Sequence, residues 1–179
     1  IISSPQGIGG DDRCGVFIIL RVISETKLRP SILFCEDEEI GGVGSLRFSE
    51  SEYVTDLEKL KFLIEIDRRG DCDAVFYTCD NQEFKKYVTE VTGFTETWGT
   101  FSDICNLSPI CGVASVNLSC GYHHEHSKEE YVNYDEMMKA KRAVVKLIKA
   151  SVKANAYEYI EEMYVSGGYD YGIIGGHLW

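Results

Sequence analysis

The chain has no Cys-x-x-Cys pair, no lysine/arginine cluster interleaved with aromatics, and no apolar run near the roughly 20 residues needed to span a bilayer. Each absence excludes something. Without paired spacing, the seven cysteines, Cys14, Cys35, Cys72, Cys79, Cys105, Cys111 and Cys120, read as small core residues of a reduced, cytoplasmic protein rather than as a disulfide framework. With no basic patch and a formal net charge of −11, from 18 basic and 29 acidic residues, a nucleic-acid surface is not expected. The lack of a long apolar run or a secretory leader pattern leaves no membrane segment to expect. No internal repeat divides the chain. Its 179 residues, 44% hydrophobic, suffice for one domain with a real core.

What the chain does have is strand and helix patterning in alternation. Ser31–Cys35, Phe62–Asp67, Ala74–Thr78 and Gly112–Leu118 are short runs rich in β-formers and bounded by charge or glycine, which predicts strands. Cys14–Ile23 is almost continuously apolar and predicts a buried helix, while Val54, Leu57 and Leu60 mark one face of an exposed one. Either Asp80 or Asn81 is placed to cap a helix over Glu83–Val91. A long amphipathic helix is expected from about Asp135 to about Ala156, with Lys139, Lys141, Lys146, Lys149 and Lys153 on a solvated face. The order implies an α/β fold: a three-layer α/β/α sandwich around a mixed, largely parallel sheet.

Acidic residues and one histidine fall where buried strands or their loops end: Asp11 and Asp12 in GIGGDDRCG, Glu38 and Glu39 in CEDEEIGG, Asp67 in FLIEID, and His126 in GYHHEHSKEEY. Several carboxylates brought together at strand ends need a common cation to offset their repulsion. Open α/β sheets bind ligands in that region. The residues alone therefore point to a metal-dependent hydrolase, with His123 and His124 as rivals to His126. A calcium or magnesium site is a weaker alternative, because it would need more oxygen ligands from one loop and a histidine suits a transition metal better.

The ordered motifs GGDDRCG, EDEEIGG, IEIDRRG and EHSKEEY, from about Gly7 to Val145, resemble the co-catalytic zinc exopeptidases, the clan of aminopeptidases and related carboxypeptidases with a phosphorylase/hydrolase-like fold. The resemblance implies two zinc ions bridged by Asp11, with Glu39, Asp67 and His126 as terminal ligands and Glu38 as general base. Asp12 and Arg13 would hold the loop, and Asp103 matches an acidic position of less certain role. It implies hydrolysis of a peptide or amide-linked amino acid by a water shared between the metals, and it leaves oligomer formation open. Only 58 residues separate Asp67 from His126, too few for an inserted lid or dimerisation domain.

One family element has no match. The clan carries a His-x-Asp upstream of the bridging aspartate, whereas no histidine here precedes His123. Ile1 to Gly10 reads as the loop end of a structure already under way, so a catalytic domain over residues 1–160 with further chain before it is expected, followed by a Gly/Tyr-rich tail at 161–179. In the tail, IIGGHLW sets His177 in a position resembling the lost ligand, with Trp179 where the aspartate belongs. The alternative is a catalytically incomplete relative serving as a metal-binding or scaffold protein.

Overall fold

The computed structural model describes residues 1–162. A four-stranded sheet of β2 (Leu63–Arg68), β3 (Asp73–Val75), β4 (Thr95–Thr97) and β5 (Ser115–Ser119) runs in the order β2-β5-β3-β4. The β2–β5 and β3–β4 pairs are parallel and the β5–β3 pair is antiparallel, so the sheet is mixed as expected. A second sheet, β1 (Ile2–Ser3), β7 (Tyr131–Val132) and β6 (Tyr122–His123), lies in the order β1-β7-β6 and holds the loop that carries His126.

The period-2 alternation of strands sorts residues onto two layers. Ile66, Ala114, Val116 and Leu118 face α1 (Gly10–Glu25), α3 (Gln82–Thr92) and α5 (Tyr134–Ser151), and with Ile18, Phe84 and Leu147 they form the main core. On the opposite face Leu63 and Val113 pack with Leu107 and Leu57, supplied by α4 (Asp103–Cys111) and a 3-10 segment, Glu52–Lys59. A short α2 (Val43–Ser49) completes that layer against α4. Helix α1 sits so close to β2 that a Cβ on Gly15 would lie 1.9 Å from the Ile66 carbonyl oxygen.

Local signals account for several boundaries. The Asn81 side chain accepts the Phe84 N–H at 3.0 Å, which settles the cap of α3 in favour of Asn81. Asn133 caps α5 through the Asp135 N–H, and α5 ends at Ser151, short of the expected Ala156. The chain then turns beneath the sheet, where the Tyr157 N–H donates to the Lys61 carbonyl. Two of the five face lysines are paired within the fold, Lys139 with Asp71 and Lys141 with Glu25. All seven cysteines are free thiols.

Three expectations need correction. Ser31–Cys35 is not a strand: nothing pairs with its backbone among the described residues, and Ile32, Leu33 and Phe34 remain exposed. A β-forming sequence becomes a strand only with a ladder partner, and none adjoins it. Helix α1 is not buried all round, since Leu20 is 54% exposed while Ile18 and Val22 are buried. The segment carrying Val54 and Leu57 is 3-10 rather than α-helical. No helix among the described residues is long and apolar enough to cross a membrane.

Candidate metal centre

The loop Gly7–Asp11 is shaped by two left-handed glycines, Gly7 and Gly9, at φ 85° and 62°, a conformation that L residues rarely adopt. A buried carboxylate from a distant part of the chain fixes it. Glu130 accepts the backbone N–H groups of Gly9, Gly10 and Asp11 at 2.6, 2.9 and 3.1 Å, and the Arg13 guanidinium lies against Gly9. The Asp11–Asp12 peptide is cis.

Glu38 and Glu39 open a one-turn 3-10 helix, Glu38–Ile40, entered at Asp37 and left at Gly41 through positive φ. His126, also at positive φ, reaches over from the loop between β6 and β7. Its Nε2 stands 3.1 Å from Asp11 Oδ2 and 2.8 Å from Glu39 Oε1. Ligand atoms of Asp11, Glu39 and His126 all lie within 4.8 Å of one another, with Glu39 and His126 open to solvent.

Asp67 stands beside this trio rather than inside it. It lies one residue before the end of β2, where its N–H donates to Asn117 Oδ1 at 2.9 Å and Asn117 Nδ2 donates to its carbonyl at 3.0 Å. Burial and the neighbouring Asp11 carboxylate push the Asp67 carboxyl far above the ordinary range. Burial also raises Asp11, though the His126 imidazole opposes the shift. Glu38 is half-buried and pushed up to about 7, first by burial and then by the charges of Glu39, Asp103 and Asp11. In return, Glu39 and Asp11 lift the His126 imidazole above its ordinary value.

The structure thus brings Asp11, Glu39 and His126 together, sets Asp67 against Asp11, and keeps Glu38 at the edge of the cluster. Of the rival histidines, His123 turns away to Glu136, 2.5 Å from its Oε2, and stacks on Tyr131 at 4.9 Å. His124 also lies against the Tyr131 ring. His177 falls outside the described residues.

Two participants were not singled out from the sequence. Glu130 is only 4% exposed, and its role in holding three N–H groups 119 to 121 residues away has no local signature. Glu65 precedes Asp67 by two positions on the same strand face, so a charged residue inside FLIEID was the available signal. Its Oε2 and the Asp103 Oδ1 are buried without hydrogen-bond partners. Burial lifts Glu65 to about 8, while burial and the neighbouring Asp103 lift the Cys35 thiol to about 12.

No family model matches the chain, and no curated protein matches its sequence. Its fold is nevertheless that of solved aminopeptidases. An aminopeptidase from the archaeon Desulfurococcus kamchatkensis superposes with a TM-score of 0.61 at 15% identity, over 82% of this chain and 51% of that one. The dodecameric PhTET1-12s gives 0.56 at 18% identity, over 78% and 49%. The TET aminopeptidase of a marine sediment archaeon, Thaumarchaeota archaeon SCGC AB-539-E09, gives 0.51 at 20% identity, over 78% and 47%. The chain therefore spans about half the length of these proteins, and at such identities the likeness defines a fold.

Proposed function

We propose that this chain carries the metal site and general base of a zinc-dependent exopeptidase, an aminopeptidase that releases residues from peptides or amide-linked amino acids. The observation that carries the reading is the convergence of Asp11, Glu39 and His126 at one strand end of an aminopeptidase-like fold. The donor set fits a divalent transition metal: two carboxylates flank one imidazole nitrogen, and the Asp11 and Asp67 carboxyls, raised by burial and then by neighbouring carboxylates, sit where a cation would offset the cost of their charge.

Asp11, Glu39 and His126 would hold the first ion, and Asp11 with Asp67 a second. A bound zinc lowers the pKa of a water and polarises a scissile carbonyl. Glu38, at the edge of the cluster, would take the proton of the attacking water and pass it to the leaving amine. Glu130 holds Asp11 through the backbone, so its contribution is orientation.

A second reading rests on the make-up of the cluster. Among the described histidines His126 alone reaches the cluster, and a site holding one metal in a scaffold protein is compatible with that single imidazole. Zinc loading followed by metal analysis, with aminoacyl-nitroanilide hydrolysis by wild type and Glu38→Gln, separates the two. The enzyme reading expects zinc in both proteins and hydrolysis by the wild type alone. Equal hydrolysis by both would remove Glu38 as base, and zinc without hydrolysis in either would leave the scaffold.

A further inference from the structure

A cavity of about 850 Å³ adjoins the candidate metal centre, with Asp67 and Glu38 both on its wall. Leu63 and Glu65 share the face of β2 that α4 covers, and both border the same cavity. Two positions along a strand span about 6.6 Å, so Glu65 lies one such step in from Asp67 and Leu63 a second step. Asp103, at the start of α4, borders the stretch around Glu65, near enough for its charge to act on that carboxyl.

The wall is one-signed. Six acidic side chains border the cavity, and among the described residues no lysine, arginine or histidine does. Most of the remaining wall is apolar, including Phe34, Leu63, Ile104 and Leu107. Glu65 Oε2 and Asp103 Oδ1 are buried without a hydrogen-bond partner, a costly state for a carboxylate unless a cation or donor reaches it. We infer that this cavity receives the side chain of the substrate's N-terminal residue, and that Glu65 and Asp103 select lysine or arginine there. The inference rests on the exopeptidase reading above.

Three side-chain classes meet this wall differently. A leucine or phenylalanine would cover the apolar surface yet leave both carboxylate oxygens unpaired. An aspartate or glutamate would add a like charge to six already present. A lysine or arginine lays its methylene stem along the apolar wall and carries its donors one strand step inward, to the level of Glu65 and Asp103, where charge-assisted hydrogen bonds supply the missing partners. Discrimination then comes from buried polar groups that only a cationic side chain satisfies. Glu65 and Asp103 are specificity residues on this account, separate from the ligands and from the base.

The test is calorimetric titration of lysinamide and norleucinamide, which differ only in the side-chain ammonium, into the full chain with and without zinc. Wild type is compared with Glu65→Gln and with Asp103→Asn, each checked for folding by circular dichroism, and hydrolysis of lysyl- and norleucyl-nitroanilide is followed in parallel. Wild type should bind lysinamide at least about 10-fold more tightly than norleucinamide, and each variant should lose most of that preference. Equal binding of the two amides by wild type, a preference for norleucinamide, binding of neither, or a lysine preference that survives in both variants overturns the inference. The wild-type ratio decides by itself if a variant does not fold. Selection of lysinamide without hydrolysis of either nitroanilide supports the pocket and removes the exopeptidase reading, whereas hydrolysis with no lysine preference keeps that reading and removes the pocket.

Discussion

The Glu130 carboxylate accepts the backbone N–H of Asp11 at 3.1 Å, tying the proposed bridging ligand to a residue 119 positions away. Gly9 and Gly10 donate to the same carboxylate. Glu130→Ala leaves these N–H groups without that acceptor, and the expected cost is about 2–4 kcal/mol of stability. Urea denaturation measures it. Zinc affinity should fall as well, and a variant as stable and as tight-binding as wild type would remove Glu130 from its positioning role.

His126→Ala should lower zinc affinity at least about 10-fold, whereas His123→Ala should leave it near wild type, because His123 is committed to Glu136 and Tyr131. Calorimetric zinc titration of the two variants gives the answer. The opposite order would reassign the ligand.

Glu65 and Glu38 have folded values of about 8 and about 7, above the ordinary 4.5. Between about pH 4.5 and pH 8 the folded chain therefore holds protons that the unfolded chain has released, and stability falls as pH rises. Below that window their contribution is fully present. The metal-free protein should lose up to about 1.4 kcal/mol per pH unit across the window of the buried Glu65, with a smaller, solvent-screened contribution from the half-exposed Glu38. Glu65→Gln, which keeps the shape and removes the titration, should flatten the slope. Thermal melts from about pH 5 to about pH 9 would reveal an unchanged slope if the assignment to Glu65 is wrong.

Gly15→Ala drives a Cβ to 1.9 Å from the Ile66 carbonyl, against backbone that cannot rotate away. Helix α1 must lift off β2, and a loss of about 2–4 kcal/mol is expected. Gly93→Ala offers a contrast: its Cβ would meet nothing within 4 Å, leaving only the strain of φ +74° and a smaller cost. Denaturation midpoints rank the two, and an equal loss would deny the close helix–strand approach.

Much of this protein was legible in its residues. Asn81 before Phe84, the three-and-four spacing of Met137, Ala140, Val144 and Leu147, and the β-rich run ending at Asp67 each set an element through short-range geometry. Such signals need only neighbouring residues, and the strand-end acids follow from them. Tertiary structure decided the rest. Ser31–Cys35 reads as well as any strand yet lacks a partner among the described residues, because a ladder is a property of two segments. Three histidines fall within four positions, and local patterning alone does not separate them; the resemblance in EHSKEEY pointed to His126, and the fold sets its Nε2 between Asp11 and Glu39. Glu130 beneath the Asp11 loop and Asp67 beside the trio likewise depend on contacts between residues far apart in the chain, which no local period encodes.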